Sequence, residues 1–227
     1  VSERAPYGAT AVSGPGRALR VPDPTERDDL ASFVGRAVRL DSSSLVRLRS
    51  RDDGTVGVWA STGFDAIVAR SVTGTVAPRD TTVKARELLT ALAVLRSDAV
   101  DPGSALDAEW PGALPPATGF RHVDDVPAHV IDQLVERGVE LARDNPGPRG
   151  GPPASLLDQE VLTVRGEHDE VGVPLRVVFA LSGMGFVDNG AGDDPVRVRV
   201  TDGWLRLDAR YGSVLRRRHP QIPLLLG

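Results

Sequence analysis

Seven arginines crowd residues 196–218, VRVRVTDGWLRLDARYGSVLRRR, in a 227-residue chain whose formal net charge is −4. A guanidinium fork binds carboxylate or phosphate through two parallel hydrogen bonds. Arg197, Arg199, Arg206, Arg210, Arg216, Arg217 and Arg218 are therefore the candidate anion- or partner-binding residues. Other chemistry is thinner. The four histidines, His122, His129, His168 and His219, show no helical ligand spacing. His168 sits among acids in GEHDE at 166–170, but that run lacks the regular oxygen alternation of a calcium loop. Neither SGMGF nor GPGR is a phosphate-binding glycine motif. Ser42, Ser43 and Ser44 lack the strand–turn–helix context of a nucleophile elbow and read as a turn. The chain has no cysteine, which excludes disulfides and thiolate chemistry. No catalytic residue, metal ligand set or cofactor is nominated.

The elements that hold the arginines follow from Asp202-Gly203, a strong two-residue hairpin signal between alternating runs. The turn sets Thr201 opposite Trp204, Val200 opposite Leu205, Arg199 opposite Arg206, Val198 opposite Leu207 and Arg197 opposite Asp208. Val196, Val198, Val200, Leu205, Leu207 and Ala209 then share one face. Arg197, Arg199, Thr201, Trp204, Arg206, Asp208 and Arg210 share the other. A slip of one residue would mix the two sets. The Arg199–Arg206 pair is unfavourable by a few tenths of a kcal/mol, roughly the size of a favourable cross-strand pair. Asp208 on the diagonal, the face of Trp204 or an external anion would each offset it.

The charge is polarised along the chain. Residues 195–227 hold seven arginines and two aspartates, a net of +5, whereas residues 121–194 hold six arginines and fourteen acids, a net of −8. The anion nearest the cationic face is then expected to be the chain's own acidic segment. Apolar residues make up 41%, enough for a core, but aromatics only 4%, so Val, Leu and Ala must build it. Few aromatics also means few stacking platforms for bases or sugars. No apolar run reaches the ~20 residues of a membrane span, and no secretory signal is visible, which predicts a cytoplasmic setting.

Along the chain, residues 1–22 read as a flexible arm. Asp23, Pro24 and Glu26 then have the spacing of a capped helix start. Leu30, Phe33, Val34, Ala37 and Val38 continue it as an apolar stripe. Residues 45–76 alternate as a three-strand meander. PRDTTVKARELLTALAVL returns to helix, with Ala85, Leu88, Leu89, Leu92 and Leu95 inward. Proline and glycine mark 98–124 as a linker, with Trp110 packing down on one half. A helix runs from about 127 to 143, with Ile131, Leu134, Val135 and Ala142 inward. ASLLDQEVL is ambiguous, and VPLRVVFALSGMGFV suits either a buried helix or a strand. The fold class expected is α+β: two small units, 23–97 and 125–227, each a helix set packed on a three-strand antiparallel meander. Duplication is one reading of this. Val46-Arg47-Leu48-Arg49 matches Val196-Arg197-Val198-Arg199, and Gly54, Ala60 and Gly63 match Gly203, Ala209 and Gly212 in spacing. The other reading is that any two arginine-rich hairpins with this codon bias look alike.

Lys84 is the only lysine, and asparagine occurs only at 145 and 189. That bias and the ending LRLDARYGSVLRRR resemble uncharacterised conserved proteins of high-GC actinobacteria, over about residues 23–218. The resemblance implies no activity and no site residues. The function expected from the residues is a non-catalytic binding or assembly module that meets a protein partner or a second copy through the cationic hairpin. The alternative is a winged-helix-like nucleic-acid-binding regulator, with a helix at 173–185 before a basic hairpin. Against it stand the pI of about 5.6 and the adjoining acidic segment. An enzyme of unidentified class is the remaining alternative.

Overall fold

The computed structural model describes residues 16–94, 97–147, 151–187 and 194–218. Most of the expected N-terminal arm, Leu95, Asp188, Asp193 and His219 lie outside them. Strand β1 (Ala18–Arg20) leads into helix α1 (Pro24–Leu40). The Asp23 carboxylate caps α1 by accepting from the Thr25 and Glu26 amides at 2.7 and 3.1 Å. Glu26 does not close a capping box. Its carboxylate instead accepts from the amide and hydroxyl of Thr73 and ties the helix start to the sheet. The stripe Leu30, Phe33, Val34 and Ala37 is buried as expected.

Strands β2 (Leu45–Ser50), β3 (Thr55–Ser61) and β4 (Ile67–Thr73) form the expected antiparallel meander. Two expectations in this half fail. β5 (Thr75–Ala77) and β7 (Ala99–Val100) pair with β1 on either side, so residues 18–21 are no free arm. Leu19 and Val21 are buried there. The segment expected to be helical from Pro78 onward begins instead as strand β6 (Asp80–Lys84), paired with β2, and helix α2 (Ala85–Val94) starts only after it. Consecutive Thr81, Thr82 and Val83 are β-branched, and their local preference favours the strand.

The second half comprises β8 (Arg121–Val126), α3 (Ala128–Asp144), a short α4 (Ala154–Leu157), the hairpin β9 (Glu160–Arg165) and β10 (Glu170–Pro174), helix α5 (Leu175–Gly183), and the meander β11 (Val196–Val200), β12 (Trp204–Ala209) and β13 (Gly212–Arg217). The hairpin register matches the sequence reading pair for pair. β8 corrects the linker: Arg121–Val126, assigned mostly to 98–124, is an edge strand paired with β11. Its polar pattern, with only Val123 and Val126 buried, conceals it.

One eight-stranded sheet runs through both halves in the order β6-β2-β3-β4-β13-β12-β11-β8. The order is palindromic. Each half presents its meander with a further strand on the first meander strand, and the two meanders meet edge to edge where β4 pairs with β13. That seam is short, with three register pairs (Ala69–Ser213, Val68–Val214, Ile67–Leu215), against seven between β3 and β4. α1 packs on α2 and α3 on α5 on the inner face. One apolar cluster spans both halves, from Val46 and Val58 to Val198 and Leu207. The molecule is thus α+β, two units with antiparallel meanders sharing one sheet and one core.

Candidate binding clefts at the joint

The hairpin arginines project from the outer sheet face, away from the helices, and Arg199, Arg206 and Arg210 each meet an internal counter-charge. The Asp208 carboxylate accepts from Arg206 Nε at 2.7 Å and lies 3.5 Å from Arg199 Nε. The diagonal aspartate thus offsets the like-charge pair. Arg197 lies between Asp208 on one neighbouring strand and Asp125 on the other. Arg210 reaches Asp194 at 2.8 Å. The Trp204 face is used too, but by Arg217, at 4.7 Å from the ring centroid. In the first half, Asp80 performs the same service for Arg47 and Arg49, at 2.8 and 3.6 Å.

The seven arginines do not form one site. Arg216 turns to the helix side and lies 3.2 Å from Asp158 and 3.4 Å from Asp65. Arg218 donates to the Thr201 carbonyl at 3.1 Å. The acidic segment does supply counter-ions, as expected. Asp158 and Asp194 belong to it, and its Asp169 carboxyl is held below the usual carboxylate range, first by its hydrogen bond with Arg121 and further by the Arg218 charge.

Two clefts flank the seam. The inner one, about 810 Å³, has its first wall from the turn Ser61–Ile67 and its second from the end of β13 and the start of α5. Arg176, Arg216, Arg217 and Arg218 face Asp65 and Asp158 across an apolar floor of Trp204, Leu215 and Ile67. Arg176 is 7% exposed and held by Asp158 at 2.8 Å and the Phe64 carbonyl at 2.9 Å. That pinning is required, because a buried guanidinium is tolerated only when charge-paired and hydrogen-bonded. Arg216 Nε is buried with no hydrogen-bond partner. The outer cleft, about 940 Å³, lies over the seam on the arginine-bearing face, and Leu215 lines both clefts. The connector roofs it: after the Leu106 amide bonds the Thr82 carbonyl at the β6 edge, the chain crosses the joint to β8. Trp110, expected to pack down, is buried, and Phe120 lies under Arg206 with 5.4 Å between guanidinium and ring.

Sequence reasoning missed Asp65, Asp158, Arg51, Trp59 and Arg176. Only Arg176 carried a signal: a lone arginine in the apolar run VPLRVVFALSG must find a buried partner. The winged-helix expectation fails on geometry. Residues 175–181 of α5 are all buried, so no recognition face is presented. The hairpin is an interior part of a sheet rather than a free wing. Nor is the helix layer basic: α1 balances three arginines with three acids, α2 one with one, and α3 sets two against four. Among the described residues no group of three or more His, Asp or Glu is placed to hold a metal ion, and no helix is long and apolar enough to cross a membrane.

Two domain-family profiles match the chain: a domain of unknown function, DUF8010, over residues 14–112, and another, DUF8185, over residues 115–221. No curated protein matches it by sequence. Solved structures are similar in fold. The DNA polymerase sliding clamp of Bacillus subtilis gives a TM-score of 0.57 at 14% identity, over 88% of this chain and 64% of that one. A sliding clamp (DNA polymerase III subunit beta) from Bartonella birtlesii bound to griselimycin gives 0.55 at 15% identity, over 92% and 68%. Caulobacter crescentus pol III beta gives 0.56 at 12%, over 88% and 64%. The chain thus spans less than two thirds of the Bacillus and Caulobacter proteins.

Proposed function

We propose that this protein is a non-catalytic binding platform that receives an acidic, partly apolar protein segment in the inner cleft of the joint. One observation carries the reading: each half supplies one wall of that cleft, with four guanidiniums against two carboxylates above a floor of Trp204, Leu215 and Ile67. An excess of fixed positive charge beside apolar surface suits a ligand that brings carboxylates on an apolar stem. Arg217, stacked on Trp204, brings its guanidinium to the cleft lining. The likeness to sliding clamps supports the platform reading, because those proteins are named for work with a DNA polymerase and one of them holds griselimycin. The segment comes from another protein or from a second copy of this chain.

Fluorescence anisotropy with a labelled peptide of alternating Glu and Leu tests it. Binding is expected at about 50 mM salt and should weaken as the Debye length shortens. Arg217→Glu with Arg218→Glu should weaken it at least about tenfold, the size of a lost charge-assisted contact. Equal binding by this double variant, or tighter binding of a random DNA duplex than of the peptide, contradicts the proposal.

A further inference from the structure

We propose a second, separate site: the outer cleft binds an oligophosphate, held across the seam by guanidiniums from both halves. Arg49 and Arg51 enter from the first meander and Arg206 and Arg210 from the second, while Arg70, also in the lining, is paired with Asp29 of α1; among the described residues no carboxylate lines the cavity. The acids that pair with these arginines stand outside the lining: Asp80 for Arg49, Asp208 for Arg206 and Asp194 for Arg210. Arg51 bonds a hydroxyl, that of Ser71, at 2.7 Å. A guanidinium has five N–H donors and one carboxylate engages two of them, so Arg49, Arg51 and Arg206 keep donors for a ligand in the cavity. Anionic charge arriving there meets four cations from two directions.

The class of ligand follows from what the walls provide. A volume of about 940 Å³ is of small-molecule size. The two rings in the lining already carry guanidiniums, Arg51 at 5.5 Å from the Trp59 centroid and Arg210 at 5.7 Å from that of Tyr211. The site therefore reads charge rather than a flat base. Tetrahedral phosphates in a row present oxygens toward both walls at once, which a lone carboxylate does not, and each is matched by an arginine fork. The seam beneath is joined by only three register pairs. A ligand gripped by Arg51 on one side and Arg206 on the other ties the halves together, so binding stabilises the fold by mass action.

The test is isothermal titration in metal-free buffer with sodium tripolyphosphate, ATP and the Glu-Leu peptide. The proteins are the unaltered chain, Arg51→Gln, Arg51→Lys, Arg206→Gln and, as a surface control, Arg165→Gln. Tripolyphosphate and ATP should bind within about threefold of each other, and each should raise the thermal midpoint. Arg51→Gln and Arg206→Gln should each weaken both ligands at least about tenfold, Arg51→Lys less, because the charge stays while the fork is lost. Arg165→Gln should change nothing. Arg51 is exposed, so its variants keep the test valid even if Arg206→Gln disturbs the Asp208 network. The proposal is overturned if neither phosphate ligand binds, if Arg165→Gln weakens binding as much as Arg51→Gln, or if ATP binds more than about tenfold tighter than tripolyphosphate, which would mean ring recognition. It is also overturned if the peptide displaces tripolyphosphate in the Arg217→Glu/Arg218→Glu double variant, in which the inner cleft is disabled.

Discussion

Replacing Asp208 with asparagine removes one negative charge from the middle of the arginine row and keeps the shape. Asp208 is 18% exposed at its side chain, accepts from Arg206 at 2.7 Å and from the Ser213 hydroxyl, and lies 3.5 Å from Arg199. A hydrogen bond to a charged group is worth roughly 1.5–3 kcal/mol. The freed Arg199–Arg206 repulsion adds a few tenths of a kcal/mol. Asparagine keeps one acceptor oxygen, and both arginines are about a third exposed, so water screens part of the loss. The net expectation is about 2 kcal/mol of destabilisation, a fall in thermal midpoint of roughly 4–8 °C for a chain of this length. Urea unfolding followed by circular dichroism measures it. Adding Arg199→Gln should recover a few tenths of a kcal/mol, because it removes one of the two repelling charges. An Asp208→Asn variant within about 0.5 kcal/mol of the unaltered protein, or a double variant whose losses simply add, refutes the idea that this carboxylate holds the row together.

Three further outcomes are expected. The Asp80 carboxyl is held below its ordinary value, chiefly by its hydrogen bond with Arg47. Its contribution to stability is therefore present above about pH 4 and is lost as pH falls through the lowered value, so Asp80→Asn should flatten the acid limb of the stability–pH curve. Asp132 has the opposite sign: burial first, and then the Glu136 charge, raises its carboxyl above the ordinary value. The folded state then favours the protonated acid, and Asp132→Asn should raise the urea midpoint at pH 7 but not at pH 3. A Cβ on Gly57 would clash with the Trp59 ring, so Gly57→Ala must displace the ring. The expected cost is about 1–3 kcal/mol with a shift in tryptophan emission.

What the sequence revealed was local. Asp202-Gly203 sets one hairpin register, and alternation assigns the faces, because strand periodicity and turn chemistry both act over a few residues. The Asp23 cap and the α1 stripe were legible for the same reason. What escaped needed distant partners. RHVDDV carries too little apolar pattern to announce a strand, and only pairing with β11 makes it one. Residues 18–21 look unstructured until β5 and β7 close on them. The β4–β13 seam is the clearest case, since nothing in IVARSVT or GSVLRR names the other as neighbour. Both clefts depend on that seam. The arginines could therefore be nominated one by one, but their division between two faces could not be foreseen.

Single-tryptophan variants test the seam most directly, with Trp59 reporting on the first half and Trp204 on the second, the other tryptophans replaced by phenylalanine. One sheet and one core across the joint predict urea transitions that coincide for the two probes and match the circular dichroism midpoint. Two transitions separated by more than the error of either midpoint would mean that the halves unfold independently, and neither cleft would then have two fixed walls.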